Sequence, residues 1–482
     1  MSRKITIDPI TRVEGHGKVT IHLDEQMRVT DSRLHIVEFR GFERFVQGRP
    51  YWEAPVLVQR LCGICPVSHH LCAAKAMDEI VGVSQLGLTA TAYKMRKLMH
   101  YGQVLQSHAL HFFYLAAPDL LLGIDSNPQL RNIIGIAQSH PELAKKGILI
   151  RKFGQEIIKA TAGKKIHGIS AVPGGIHKNL SEDERDLFLK GGEIPAVNEV
   201  TNWCEEILQF YKHYHQQNKS QIDQFSDFPS NHMSLLAPDG AMELYHGDLN
   251  VIDKNGEFIM HQVDYHEYQE FLAEDVKKWT YMKFPYLKKL GPKKGWSRVG
   301  PLARMNTCSY IPTTKAQKEF EQFKAYTNGK PNNMCLHYHW ARLIEMLHCS
   351  EVIAELLNDP DLQKNNLTVK GERQHKGISF IEAPRGTLIH HYEVDKDDQI
   401  SHCNLIVSTT HNNIPMNQAI KQVVEHKIDG IENISEGLLN EVEVAVRAYD
   451  PCLSCATHAI GQMPLEMTFL DHKGEKIHRI SS

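Results

Sequence analysis

Between residues 3 and 39 apolar and polar side chains alternate, as in Lys18-Val19-Thr20-Ile21-His22-Leu23 and Leu34-His35-Ile36-Val37-Glu38-Phe39. A period of two sends successive side chains to opposite faces, so this stretch predicts a small antiparallel sheet. The period then lengthens. Residues 89–117 carry Leu98, Tyr101, Leu105 and Phe112 at three- and four-residue steps. That spacing predicts a long helix ending near Pro118, whose ring and missing N–H oppose its continuation. Further helices are predicted over 139–161, 182–217, 334–357, 414–426 and 435–448. Two hairpins interrupt them, turning at Lys254-Asn255-Gly256 and around Asp395–Asp398. The tail Pro464-Leu465-Glu466-Met467-Thr468-Phe469-Leu470 reads as a strand, with a turn at Lys473-Gly474. The pattern predicts a mainly α protein with small antiparallel β insertions, an α+β class.

No repeat or Pro/Gly/Ser-rich linker divides the chain. A single domain is expected over 1–458, with the β region at its start. The chain has 42% hydrophobic and 23% charged residues and a formal net charge of -3, an ordinary soluble balance. No run of about eighteen apolar residues predicts a membrane span. No basic, aromatic-interleaved patch predicts nucleic-acid binding. The start, Met1-Ser2-Arg3-Lys4-Ile5, carries no apolar or twin-Arg leader, so a cytoplasmic protein is expected. Ten cysteines without framework spacing fit a reducing compartment.

Four of those cysteines form two pairs at opposite ends of the chain, Cys62-Gly63-Ile64-Cys65 and Cys452-Leu453-Ser454-Cys455. Four thiols make four soft ligands for one metal centre. A structural zinc site is the common use of such pairs. Zinc knuckles, however, staple small modules with close-spaced ligands, and a chain of 482 residues builds its own core. A closure across the whole length suits a buried reactive metal better.

The flanks sharpen this. Gln59-Arg60-Leu61-Cys62-Gly63-Ile64-Cys65-Pro66-Val67-Ser68-His69-His70 and Tyr449-Asp450-Pro451-Cys452-Leu453-Ser454-Cys455-Ala456-Thr457-His458 resemble the motifs of the large, catalytic subunit of [NiFe] hydrogenases. The branch they resemble is the soluble, bidirectional NAD-reducing one. Asp8-Pro9-Ile10-Thr11-Arg12-Val13-Glu14-Gly15-His16, Glu38–Glu43, Glu382-Ala383-Pro384-Arg385-Gly386 and Ser408–Asn413 extend the resemblance along essentially the whole chain.

The resemblance implies the large-subunit fold and a Ni-Fe centre with carbon monoxide and cyanide on the iron. It implies Cys62 and Cys452 as terminal nickel ligands, with Cys65 and Cys455 bridging nickel to iron. Heterolytic splitting of H2 needs an electrophile for the hydride and a base for the proton. Glu14 is the expected proton relay. Arg385, after Pro384, would lie over the metals and act electrostatically, since a guanidinium stays protonated. Asp119 and Asp450 would orient Arg385 as carboxylate partners. His69, one helical turn beyond Cys65, would donate to a bridging sulfur. Thr409 would hydrogen-bond a cyanide. A hard dication, Mg2+, is expected on Glu43, the Leu405 carbonyl and His458.

The resemblance also implies a maturation endopeptidase that cuts the His458–Ala459 bond. Residues 459–482 would then be a removable extension, and a chain that keeps them would be inactive. No Gly-x-Gly-x-x-Gly, P-loop or four-Cys iron–sulfur run is present. NAD, FMN and iron–sulfur clusters are therefore expected only on partners: a diaphorase (NADH dehydrogenase) module and an iron–sulfur small subunit. Rival readings are a hydrogenase linked to sulfur or NADP, an H2 sensor, and a zinc-holding structural protein. A related subunit of respiratory complex I lacks the four cysteines and is set aside.

Overall fold

The computed structural model describes residues 3–38, 41–84 and 87–457, and the backbone strands 466–470 and 476–481. The predicted sheet is present: Arg3–Ile7, Gly17–Leu23 and Val29–Ile36 pair antiparallel in chain order. Val19, Ile21, Leu23, Leu34 and Ile36 are buried, so one face of the period-two pattern is the inner face. It packs on the helix Asn413–Lys427, where Asn417 Oδ1 accepts the Leu34 N–H at 2.9 Å.

The helical core is built from Ala90–Leu110, Pro141–Ala162, Val197–Gln217 and His337–Leu357. The first two cross at glycines. A Cβ on Gly102 would stand 2.6 Å from Ile157 Cγ2, and one on Gly154 would stand 2.7 Å from the Gly102 carbonyl oxygen. Only glycine permits that approach.

Two helix predictions need correction. The helix that begins at Ala90 does not stop near Pro118. A π turn over His111–Ala116 widens the coil, and an α-helix then runs from Ala117 to Leu122. Pro118 falls in the first turn of that new stretch, where its missing N–H leaves no bond unmade. The predicted 182–217 helix is two, Glu182–Lys190 and Val197–Gln217. Gly191 and Gly192 adopt positive φ, 80° and 141°, between them, and Pro195 follows. The helix Pro66–Ile80 is absent from the periodicity reading because nearly every residue in it is buried. A helix buried all round shows no stripe.

Both hairpins form. Asp248–Ile252 and Phe258–Val263 flank the Lys254-Asn255-Gly256 turn, in a sheet with Asn231–Leu236 and the parallel edge strand Ser297–Arg298. Lys376–Ala383, Gly386–Val394 and Ile400–Ile406 form a second sheet, with the Asp395–Asp398 turn between the last two strands. Its tighter turn is Pro384-Arg385, between paired Ala383 and Gly386. In the tail, Glu466–Leu470 pairs antiparallel with Lys476–Ser481. The Lys473-Gly474 turn lies outside the described residues. No helix among them is long and apolar enough to cross a membrane.

Candidate metal centre

The two ends of the chain meet. Cys62 follows a short 3-10 turn, and Cys65 immediately precedes the helix Pro66–Ile80. Cys62 Sγ accepts the N–H groups of Ile64 and Cys65 at 3.1 and 3.3 Å, so this loop folds around its own first sulfur. The second pair follows the helix Glu436–Arg447 and, among the described residues, enters no other helix. The sulfur of Cys452 lies 3.2 Å from Cys62, 2.9 Å from Cys455 and 3.9 Å from Cys65. Cys65 and Cys455 are 3.6 Å apart. All four are buried, and none forms a disulfide.

The donor set fits a soft, electron-rich metal centre: four sulfurs lie within 4.8 Å of one another. The surroundings go beyond what a structural zinc needs. On one side the sulfurs border a small, largely apolar cavity lined by Cys65, Pro384, Arg385, Leu388, Val407 and Thr409. Hydrogen bonds from the other three thiols hold the Cys62 thiol well below its ordinary range, and Arg385 adds to the effect. Burial pushes Cys452 and Cys455 up. Filling such a site with metal must displace protons.

Glu14 reaches the sulfurs from the N-terminal loop. Its Oε2 accepts the Cys452 thiol at 2.9 Å and the Ser454 N–H at 3.1 Å. Its carbonyl accepts the Leu453 N–H at 2.9 Å, and Glu14 and Cys452 form an isolated parallel bridge. Gly15 is required here: its φ is 85°, and a Cβ would stand 2.7 Å from the Ser454 nitrogen.

Arg385 lies at the same site. Its Nε donates to the Asp450 carbonyl at 2.5 Å and its Nη2 to Asp450 Oδ1 at 3.0 Å. Ser107 Oγ, for which the chain offers no local signal, stands 3.5 Å from Nη1. Burial opposes the Arg385 charge, but Asp450 and the nearby sulfurs outweigh it and hold the group above the ordinary arginine range. Asp450, at φ 53°, is buried, and its Oδ2 has no hydrogen-bond partner among the described residues. Thr409 Oγ1 accepts the Cys452 N–H at 3.0 Å, which leaves its own hydrogen able to point at a ligand. His69 borders the same cavity and shares a 3.2 Å bond with His390 Nε2.

Asp119 is a correction. It does not face Arg385. Arg12 binds its oxygens at 2.5 and 3.0 Å, Asn440 adds a 3.0 Å bond, Arg447 Nη1 bonds Oδ2, and Arg131 Nε lies 3.7 Å from Oδ1. Burial would raise this carboxyl, but Arg447 and Arg12 hold it below its usual range. The reason is topological: the π turn carries Asp119 toward the N-terminal loop and the Glu436–Arg447 helix.

Glu43 and Leu405 meet: Glu43 Oε1 accepts the Leu405 N–H at 2.9 Å. Lys283 Nζ lies 3.8 Å from the same oxygen and 3.0 Å from Glu274. His458 lies outside the described residues.

This fold and this four-sulfur site define the large, metal-carrying component of a hydrogenase, and sequence comparison agrees. Residues 40–126 and 148–458 match the nickel-dependent hydrogenase family, and residues 4–39 match a region described as HoxL-like. The chain belongs to the nickel-dependent hydrogenases. Within them it is 51% identical to the β subunit of the NAD-reducing hydrogenase HoxS of Cupriavidus necator, over 99% of each chain. It is 40% identical to one subunit of the F420-non-reducing hydrogenase of Methanothermobacter thermautotrophicus, over 99% of this chain and 100% of that one. A crystal structure of an NAD+-reducing [NiFe]-hydrogenase in the H2-reduced state superposes with a TM-score of 0.92 at 56% identity, covering 95% of this chain and 99% of that one. The [NiFeSe]-hydrogenase of Dm. baculatum shares the fold at 24% identity and a TM-score of 0.75, covering 95% and 100%.

Proposed function

We propose that this chain is the H2-splitting subunit of an NAD-reducing [NiFe] hydrogenase. Cys62, Cys65, Cys452 and Cys455 would hold the nickel and iron. When bound, the centre supplies the electrophile at which H2 is split heterolytically, with carbon monoxide and cyanide tuning the iron. The chain's residues do the rest. Glu14 Oε2 is positioned to take a proton from the Cys452 sulfur and pass it outward. Arg385 supplies a fixed positive charge and donors beside the sulfurs, and Asp450 sets its direction. Thr409 and Pro384 would line the space for the iron's small ligands, and His69 would donate to a sulfur. Glu43, Leu405 and His458 would take Mg2+, with Lys283 and Glu274 bordering the site.

The observation that carries this reading is the bond from the Cys452 thiol to Glu14 Oε2 at 2.9 Å. It joins the earliest motif to the last at the atom where a proton would leave. No second cluster of cysteines occurs among the described residues, so the electrons would leave to an iron–sulfur small subunit, then reach NAD through a flavin-bearing diaphorase. Residues 459–482 would be removed by an endopeptidase, leaving the mature chain in the cytoplasm. An active preparation shown by mass spectrometry to retain residues 459–482 would overturn that step. The test of the whole reading is infrared spectroscopy of the complex in the carbonyl and cyanide stretching region. Bands that shift under H2 are expected. No bands, with zinc on elemental analysis, would refute it.

A further inference from the structure

The loop that carries Glu14 is not held by its own secondary structure. Between Ile7 and Gly17 it has no strand or helix, and Arg12 sits at φ 52°. Glu14 itself pairs with the Cys452–Ser454 backbone, and Thr11, at the loop's base, is held by one face of the Glu436–Arg447 helix. Asn440, Glu443 and Arg447 are spaced three and four residues apart and therefore share that face.

Glu443 accepts the Thr11 N–H at 3.3 Å and the Thr11 hydroxyl at 2.5 Å. Arg447 Nη2 donates to the Thr11 carbonyl at 3.0 Å and to Glu443 Oε2 at 2.8 Å. Arg447 Nη1 and Arg12 both bind Asp119, and Arg12 Nη1 also donates to the Leu115 carbonyl at 2.8 Å. Every polar group of Thr11 is thereby tied to a helix that ends three residues before Asp450. Four residues, Ala448 to Pro451, join that helix to Cys452. One helix therefore anchors the base of the loop that presents the carboxylate and starts the segment that carries the sulfur.

We infer that Glu443, with Arg447, is a positioning residue for proton transfer: it fixes the Thr11–Glu14 loop so that Glu14 Oε2 meets the Cys452 sulfur. The inference rests on the relay role proposed for Glu14. A carboxylate needs to be within about 2.6–3.2 Å of the proton it takes. A misplacement of about 1 Å costs on the order of a hundredfold in rate. Replacing Glu443 frees Thr11 at two atoms and leaves the centre's four sulfurs with every bond they have.

The test uses the matured complex with its partner subunits, purified as Glu443→Ala, Glu443→Gln, Glu443→Asp and Glu14→Gln. Three quantities are measured: the carbonyl and cyanide infrared bands, H2 oxidation, and the ratio of HD to H2 released under D2. That ratio reports how often the site's proton exchanges with solvent before recombination, and it does not depend on how much enzyme is active. Glu443→Ala is expected to keep the infrared bands, lose about tenfold or more in turnover, and move the isotope ratio in the direction of Glu14→Gln. Glu443→Asp is expected to recover most of both, and Glu443→Gln part. A Glu443→Ala enzyme with the wild-type ratio, beside an altered Glu14→Gln enzyme, would overturn the inference and leave the relay standing. A wild-type ratio in Glu14→Gln would overturn the relay itself. Loss of the infrared bands in Glu443→Ala together with Glu443→Gln would make the residue structural and overturn the inference equally.

Discussion

The two cysteine pairs are chemically alike and physically unlike. The first folds on its own sulfur and is clamped from two other segments: Gln103 and Gln106 donate to the Ile64 carbonyl at 2.9 and 3.2 Å, and His167 Nε2 lies 3.1 Å from the Cys62 carbonyl oxygen. Cys62 Sγ takes two N–H groups from its own loop, Pro66 opens a helix at once, and Asp78 on that helix is bonded to Arg96 at 2.6 and 3.0 Å and to the Gly174 N–H at 2.7 Å. The second is held from a distance. Glu14 and Thr409 bond Cys452, Arg385 bonds Asp450 two residues before it, and among the described residues no helix follows the pair. Equivalent motifs thus reach one site by different means. The first adds a loop folded on its own sulfur to tertiary clamps that span 39 to 105 residues; the second is held by bonds that span 43 to 438.

The sharpest way to break the comparison is to remove a sulfur from each end. Cys65→Ser and Cys452→Ser are both expected to abolish H2 turnover and the diatomic infrared bands, since soft thiolate donors are lost. Metal analysis of the complex checks this, and full nickel in either variant would contradict it. Loss of the Asp78 brace on the first pair's helix should cost stability and spare chemistry. Asp78→Ala leaves Arg96 buried without its carboxylate, a change expected to cost about 3–5 kcal/mol. Thermal unfolding should show that loss, while the HD to H2 ratio of the folded fraction stays unchanged.

The second pair should respond in the opposite way. Thr409→Val removes the acceptor of the buried Cys452 N–H, worth about 1–3 kcal/mol. The smaller stability change should be accompanied by a shift of the infrared bands, because Thr409 borders their cavity. Unshifted bands would contradict the role given to Thr409.

The smallest effect concerns pH at the far end of the first pair's helix. Glu79, one residue before that helix ends, bonds Ile378 N–H at 2.8 Å and His266 at 2.7 Å. Glu79, with Asp264 beside it, raises His266 from 6.5 to about 9. A raised histidine stabilises the fold fully below its unfolded value and loses that contribution as pH climbs through the folded one. Stability from this group is therefore present below pH 6.5 and lost by about pH 9. His266 is partly exposed, so solvent screening keeps the effect small. Glu79→Gln is expected to lower the melting temperature in mild acid, with the gap to wild type closing in the alkaline range. A gap that widens with pH would reverse the assignment.

Much of this is legible in the chain because its causes are local. Alternation marks the N-terminal sheet, and Asn255-Gly256 and the Asp395–Asp398 run mark the turns. The long helices show wherever one face stays polar. The Pro66–Ile80 helix does not show, because burial on all sides erases the period. Pro118 misleads because a π turn upstream, set by packing, resets the helix. At the site, the four cysteines, Glu14 and Arg385 stand in motifs dense enough to read. Asp119 pairs with Arg12 and Arg447 instead of Arg385, and no sequence rule chooses among those three arginines.

By itself, then, the sequence determined the ligand chemistry: four thiols, a carboxylate and a guanidinium, each fixed by residue type. Which of them touch was decided only by the tertiary structure. The bonds from Cys452 to Cys62 and to Glu14 span 390 and 438 residues. Contacts at that separation form only when the whole core between them has packed, because the entropy of closing so long a loop must be outweighed by burial elsewhere.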